Sequence, residues 1–326
     1  MKATFPFPRR LTRITAAVAL VALTPAAFGG LVITPTFTTA FNSAFGANAP
    51  AAQASWIAAA NEFSTYFNDN ININITVDGV TGTSVFGQSQ TSLNSLSYTT
   101  LRTRMVADST TMDDTAALAG SISVGDPVGA AHTWWVSRAQ AKAIGLIAND
   151  LSNDGTTRFG AGNPFTFAGP IAPGTYDFKG VALHEISEVM GRLGLSGGTI
   201  GGNANSYSLA DLFSFTGPGA RSLTGGAGSF FSIDGGVSLL KLYNNATLNN
   251  LDTMDWAPGA QGGDGSADAF NQFSNSGVVN GLSGVDLRNM DALGYNFITN
   301  NVPEPTSAAL LAAGLALSGC IRRRKQ

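Results

Sequence analysis

The clearest pattern in the chain is Ile71, Ile73, Ile75 and Val77 alternating with Asn72, Asn74 and Thr76, a period of two that predicts a strand with one buried face. Before it, Trp56, Ala60, Phe63 and Phe67 recur at helical spacing and predict an amphipathic helix over 51–67. Leu31-Val32-Ile33-Thr34 reads as a first strand stopped by Pro35. After a Gly/Ser/Thr-rich loop, Tyr98, Leu101 and Met105 predict a second helix begun by Ser97, and 113–119 a short third one. Trp134-Trp135-Val136 predicts a strand, Ser137 caps a helix running through Leu146, and a Gly/Pro-rich stretch follows to Thr175. Further on come short strands over 212–215, 230–233 and 239–243, then a terminal helix docked by Leu287, Met290 and Leu293 and closed by Gly294. Helices and strands interleave in the first half and loops dominate the second. The fold class is therefore α+β, a mixed sheet packed on helices beside a central helix, with a loop-rich C-terminal half.

That central helix covers Val181-Ala182-Leu183-His184-Glu185-Ile186-Ser187-Glu188-Val189-Met190-Gly191-Arg192 and holds one of only two histidines in the 326 residues. At 100° per residue His184 and Glu188 share a face about 40° apart, with Glu185 about 100° round. This is the HExxH arrangement with glutamate as the second ligand. In it the i and i+4 side chains hold zinc and the glutamate after the first takes a proton from water. Phe178, Ala182, Ile186, Val189 and Leu193 form the buried stripe, Asp177 is the expected N-cap and Gly194 the expected stop. The structural alternative is a solvated helix with a Glu188–Arg192 ion pair at i, i+4.

The two ends change the picture of where the protein works. Lys2, Arg9, Arg10 and Arg13 precede an uncharged run from Ile14 to Leu23 and small residues near Gly29, the layout of a secretory signal peptide over 1–29. Val302-Pro303-Glu304-Pro305 precedes sixteen uncharged residues and then Arg322-Arg323-Arg324-Lys325. Such a run spans about 24 Å, short for a stable bilayer crossing, so it predicts transient membrane association with the basic cluster on the cytoplasmic side. It resembles the PEP-CTERM sorting signal of Gram-negative bacteria. The resemblance implies an exosortase-type processing enzyme and delivery to the cell envelope, cell surface or extracellular matrix. The domain between, 30–301, carries ten basic against twenty acidic residues, which argues against nucleic acid or anionic membrane as a partner. The only cysteine, Cys320, lies in the tail, so disulfides do not stabilise the domain.

The run from His184 to Arg192, together with Leu293-Gly294-Tyr295, resembles the PEP-CTERM-associated metalloproteases, a metzincin-like group with a His-Glu-Ile-x-Glu-Val-Met-Gly-Arg helix. Asp211-Leu212-Phe213 and Phe231-Ser232-Ile233-Asp234-Gly235-Gly236 look like the same group. The resemblance implies a zincin-like fold, zinc held by His184, and Glu185 as general base in the hydrolysis of a protein or peptide substrate. It leaves the third ligand open, because Glu188 and Gly194 stand where histidines are usual. Asp211, just before an expected strand, is the first candidate and His132 the alternative. Asp264, Ser266 and Asp268 alternate as in a calcium loop without its later glycine and glutamate, and Met254 or Met290 is available to underlie the site. The competing functions are a catalytically inactive matrix or adhesion protein on the same fold and a calcium-stabilised polysaccharide-binding module.

Overall fold

The computed structural model describes residues 30–129, 131–249 and 252–298. The export signal expected in 1–29 and the sorting signal expected in 302–326 lie outside the described residues. Among the described residues no helix is long and apolar enough to cross a membrane.

The chain starts with β1 (Val32–Phe37), α1 (Thr39–Phe45) and α2 (Ala49–Tyr66), then β2 (Asn72–Val80), β3 (Gly87–Thr91) and β4 (Leu93–Leu96). Next come α3 (Tyr98–Asp108), α4 (Met112–Ala119), β5 (Thr133–Ser137), α5 (Arg138–Ala143) and β6 (Gly155–Gly160). The short strands β7 (Phe165–Thr166) and β8 (Tyr176–Asp177) lead into α6 (Phe178–Val189). Beyond it lie β9 (Gly198–Ile200), β10 (Asn203–Ser208), β11 (Ser214–Gly217), β12 (Ala220–Arg221), β13 (Phe230–Phe231), β14 (Lys241–Leu242), α7 (Ala246–Asn249) and α8 (Gly284–Ala292).

The main sheet has the order β1-β2-β6-β3. Its first three strands are parallel, and β3 runs antiparallel to β6 along one edge. The alternation read from the sequence is realised in β2, where Ile73, Ile75 and Val77 are buried and their neighbours partly exposed. Helices α2 and α6 pack on this sheet and on each other. The Trp56 indole donates to Thr157 Oγ1 of β6, Phe178 meets Phe159 with ring centroids 4.8 Å apart, and Val189 reaches over Gly155. Two further four-stranded sheets have the orders β4-β5-β10-β9 and β12-β11-β13-β14.

Several sequence expectations need correcting. Pro35 lies inside β1, which an edge strand tolerates because an outward-facing position needs no N–H. Residues 87–91 and 155–160, expected as loop, are β3 and β6. Ala210–Phe213 is a 3₁₀ turn, with the strand only after it. The expected strand over 239–243 shrinks to Lys241–Leu242, and the helix begun by Ser137 ends at Ala143. The caps Ser97, Ser137 and Asp177 all act as read, each side chain accepting a first-turn backbone N–H.

Candidate metal centre

Helix α6 ends earlier than its pattern suggests. Gly191, not Gly194, stops it: its φ of +111° is closed to other residues, and a Cβ there would stand 2.2 Å from the Gln140 side chain. Arg192 therefore leaves the helix direction and turns inward, fully buried. Tyr295, from the Leu-Gly-Tyr block, donates its hydroxyl to the Met190 carbonyl at 2.7 Å and so ties the C-terminal turn to the end of α6.

On the cleft side of α6, His184, Glu185 and Glu188 each bring one ligand atom within 4.8 Å of the others. The ring of His184 is oriented from behind. Its Nδ1 lies 2.9 Å from the Ala269 carbonyl, which only accepts, so Nδ1 carries the hydrogen and Nε2 faces the cleft. Nε2 is 3.4 Å from Glu188 Oε1 and 3.3 Å from Asp255 Oδ1. Glu185 is only 5 % exposed; no donor reaches its Oε2, and its carboxyl group faces the Glu188 carboxylate. Arg192 sits behind the carboxylates. Its Nη1 donates to Asp255 Oδ1 at 2.7 Å and to the Met254 carbonyl at 3.1 Å, and its Nε donates to Ser187 Oγ. Nη2 is 3.8 Å from Glu188 Oε1, and the guanidinium lies 4.5 Å from the Phe270 ring centroid. The Glu188–Arg192 pair is thus an internal contact, not a solvated one.

These charges set the protonation pattern. Burial, the largest single influence, acts to lower the His184 pKa, but the Asp255 and Glu188 carboxylates together outweigh it and the ring is pushed well above its ordinary value. Burial and the charge of Glu188 push Glu185 well above the carboxylate range. Burial also acts to raise Glu188 and Asp255, yet His184 and Arg192 hold both below their ordinary values. Asp252, buried near Asp255 and Glu188, is pushed up to about 8. The surroundings thus favour negative charge on Glu188 and Asp255 and disfavour it on Glu185 and Asp252.

A cleft of about 490 Å³ opens over these groups. It is lined by the edge strand β3 with Phe86 before it and by Asn271, Gln272, Phe273 and Ser274. Tyr176 and Val181 close the end toward the N-terminus of α6.

The structure does not bring Asp211 to this group. Its carboxylate is fully buried beyond the end of α6, accepting from the backbone N–H groups of Leu195, Ser196 and Ser208 and from the hydroxyls of Ser196 and Ser208. It clips the loop after the helix to the 3₁₀ turn. His132 also lies elsewhere, its Nε2 2.9 Å from Asp126 Oδ2 and its ring edge-on to Trp134. Where Asp264, Ser266 and Asp268 alternate as in a calcium loop, the positive charge beside them is an ammonium: Lys241 Nζ stands 3.3 Å from Asp264 and 2.8 Å from Asp268. Met254 lends its carbonyl to Arg192, and Met290 is core in α8. Sequence reasoning missed Asp255. The visible signal was the acidic run Asp252-Thr253-Met254-Asp255 ahead of Trp256, but nothing local says which carboxylate returns to His184.

Residues 301–325 match the model of the PEP-CTERM protein-sorting motif. The chain thus carries the signal for processing by an exosortase-type enzyme and for export to the cell envelope or surface of Gram-negative bacteria. No curated protein and no solved structure matches the chain.

Proposed function

We propose that the protein is an exported zinc-dependent endopeptidase. The observation that carries this reading is the His184 ring, fixed through Nδ1 and presenting Nε2 to Glu188, with the buried, unpartnered Glu185 oxygen beside it at the floor of an open cleft. Imidazole plus carboxylate is a donor set that zinc accepts, and an orphaned buried carboxylate oxygen marks a place where a polar ligand belongs. Support for a zincin-like fold comes from the mixed sheet whose antiparallel edge strand runs beside the helix that carries the motif.

A bound zinc ion would polarise the scissile carbonyl and make water more acidic. The chain's own residues do the rest. The free edge of β3 offers main-chain groups on which an extended peptide lies down as a further strand, and residues 271–274 line the same cleft. Glu185, in reach of the same point as His184 and Glu188, takes the proton of the attacking water and returns it to the leaving amine. Burial strengthens Glu185 as the base, and the proton it gains is the one it then passes to the leaving amine.

The alternative, an inactive matrix or adhesion protein, draws on Glu188 pairing with Arg192 instead of a histidine in the second position. Changing Glu185→Gln separates the two. On the enzyme reading, zinc content stays at wild-type level while peptide hydrolysis falls by about 10²–10⁴-fold. A wild type that binds zinc yet cleaves no peptide in a broad library, with the variant indistinguishable from it, sinks the enzyme reading.

A further inference from the structure

Two carboxylate oxygens approach the exposed nitrogen of His184, and neither is at ordinary hydrogen-bond distance. Charge-assisted N–H···O contacts settle at about 2.7–2.9 Å, whereas Glu188 Oε1 and Asp255 Oδ1 stand 3.4 and 3.3 Å from Nε2. Two donor atoms that each sit about 2.0–2.1 Å from one tetrahedral ion are about 3.3–3.4 Å apart. Each spacing from Nε2 is therefore that of a pair of neighbouring ligands around a cation, and Asp255 adds a carboxylate to the His184, Glu185 and Glu188 atoms that lie mutually within 4.8 Å. The unpartnered Oε2 of Glu185, buried in the same cleft, independently points to a ligand at this place.

We propose that Asp255 is the third protein ligand of the zinc site, beside His184 and Glu188, and that Arg192 is the residue that positions both carboxylates. This rests on the metallopeptidase reading and completes its ligand set. Asp255 is held in place from two sides. Arg192 binds its Oδ1 at 2.7 Å, and the following residue, Trp256, anchors the loop through a 2.6 Å bond from Nε1 to Asp286. The nearby Asp252 is engaged differently, with its Oδ1 accepting the Met254 N–H at 2.7 Å within its own turn. Arg192 reaches both ligands from the side away from the cleft, with Nη1 on Asp255 and the otherwise unpartnered Nη2 toward Glu188. Such an outer partner orients the ligand oxygens and offsets part of their charge. It also gives the Glu-x-x-x-Arg spacing of the motif a purpose: glutamate in the second ligand position comes with the cation that steers it.

The test is cobalt(II) loading of the full chain, wild type against Asp255→Cys. The sequence contains one other cysteine, Cys320 in the tail, which is present in both proteins. A thiolate that touches cobalt gives a near-ultraviolet charge-transfer band. We expect that band in the variant at one cobalt per chain and not in the wild type. One cobalt per chain without the band overturns the assignment of Asp255 and leaves the metal site standing. A wild type that takes up neither zinc nor cobalt overturns both the assignment and the metallopeptidase reading. If the variant does not fold, judged by circular dichroism, a crystal structure of the zinc-loaded wild type decides. An Asp255 oxygen about 2.0–2.2 Å from the ion supports the assignment, and Asp255 left on Arg192 with another group in its place overturns it. For Arg192→Lys, which keeps the charge but loses the fork, zinc affinity by chelator competition should fall about 10–100-fold. Unchanged affinity overturns the positioning role.

Discussion

The missing side chain of Gly87 is what lets Glu185 stand against the edge strand. A Cβ at position 87 would lie 2.3 Å from Glu185 Oε1 and 2.8 Å from Val181 Cγ1, so Gly87→Ala must push the carboxylate aside. The carboxylate is the free end of a side chain and can swing aside, whereas Val181 Cγ1 is short, branched and buried on α6, so accommodating the new methyl group against it costs some stability as well. The displaced base loses more, because a shift of about 1 Å in a catalytic group costs on the order of 10² in rate. We expect Gly87→Ala to lower kcat/KM about 100-fold with zinc content unchanged and the melting temperature only modestly lowered. Wild-type kcat/KM in the variant would mean that Glu185 does not need this position. His184, Glu185 and Glu188 were legible from sequence because one helical turn fixes their relation before any packing occurs. Asp255 was not, since its approach depends on Arg192 turning inward after Gly191 and on Trp256 docking against α8.

At the scale of elements, legibility followed how much of each element's geometry is dictated locally. The period of β2 and the capped helix α6 stand out because one face of the strand and most of the helix are core. The edge strand β3, Gly87–Thr91, has no apolar residue, and β6 begins with a glycine whose bare backbone admits Val189 of α6. Both are defined by their neighbours, so neither shows in the hydrophobic pattern. The Leu293-Gly294-Tyr295 turn was visible as a motif, while its purpose required the fold: the Tyr295 hydroxyl satisfies the carbonyl of Met190 at the C-cap of α6. Tyr295→Phe removes the donor and leaves that carbonyl without this bond. The expected cost is about 1–2 kcal/mol in chemical denaturation, with zinc affinity unchanged because Met190 lies outside the ligand group. A variant as stable as wild type would show that this tie contributes nothing.

Over the whole molecule the two ends of the domain are joined by a set of aspartates. Asp69 accepts from Asn296 N and Nδ2, Asp291 from Thr111 Oγ1 and the Phe297 N–H, and Asp114 from the N–H groups of Thr110 and Thr111. Asp108 belongs to the same set. Burial raises Asp69 to about 6. Burial and then the charges of Asp69 and Asp114 raise Asp108 to about 7, and burial with the charge of Asp114 raises Asp291 to about 7. In the unfolded chain an aspartate titrates near 3.9. Between about pH 4 and pH 7 the folded protein therefore binds more protons than the unfolded one, and stability falls as pH rises through that window. The carboxylates held below their ordinary value, Asp78, Asp150, Asp234 and Asp264 together with Glu188 and Asp255 at the candidate metal centre, titrate at the acid end and do not oppose the trend there. The metal-free domain should have its higher urea midpoint at pH 5 than at pH 8, and Asp108→Asn should shrink the difference by removing one titrating group and part of the repulsion on Asp69. An equal midpoint at the two pH values, or a higher one at pH 8, would show that these carboxylates do not couple the domain's ends to protonation.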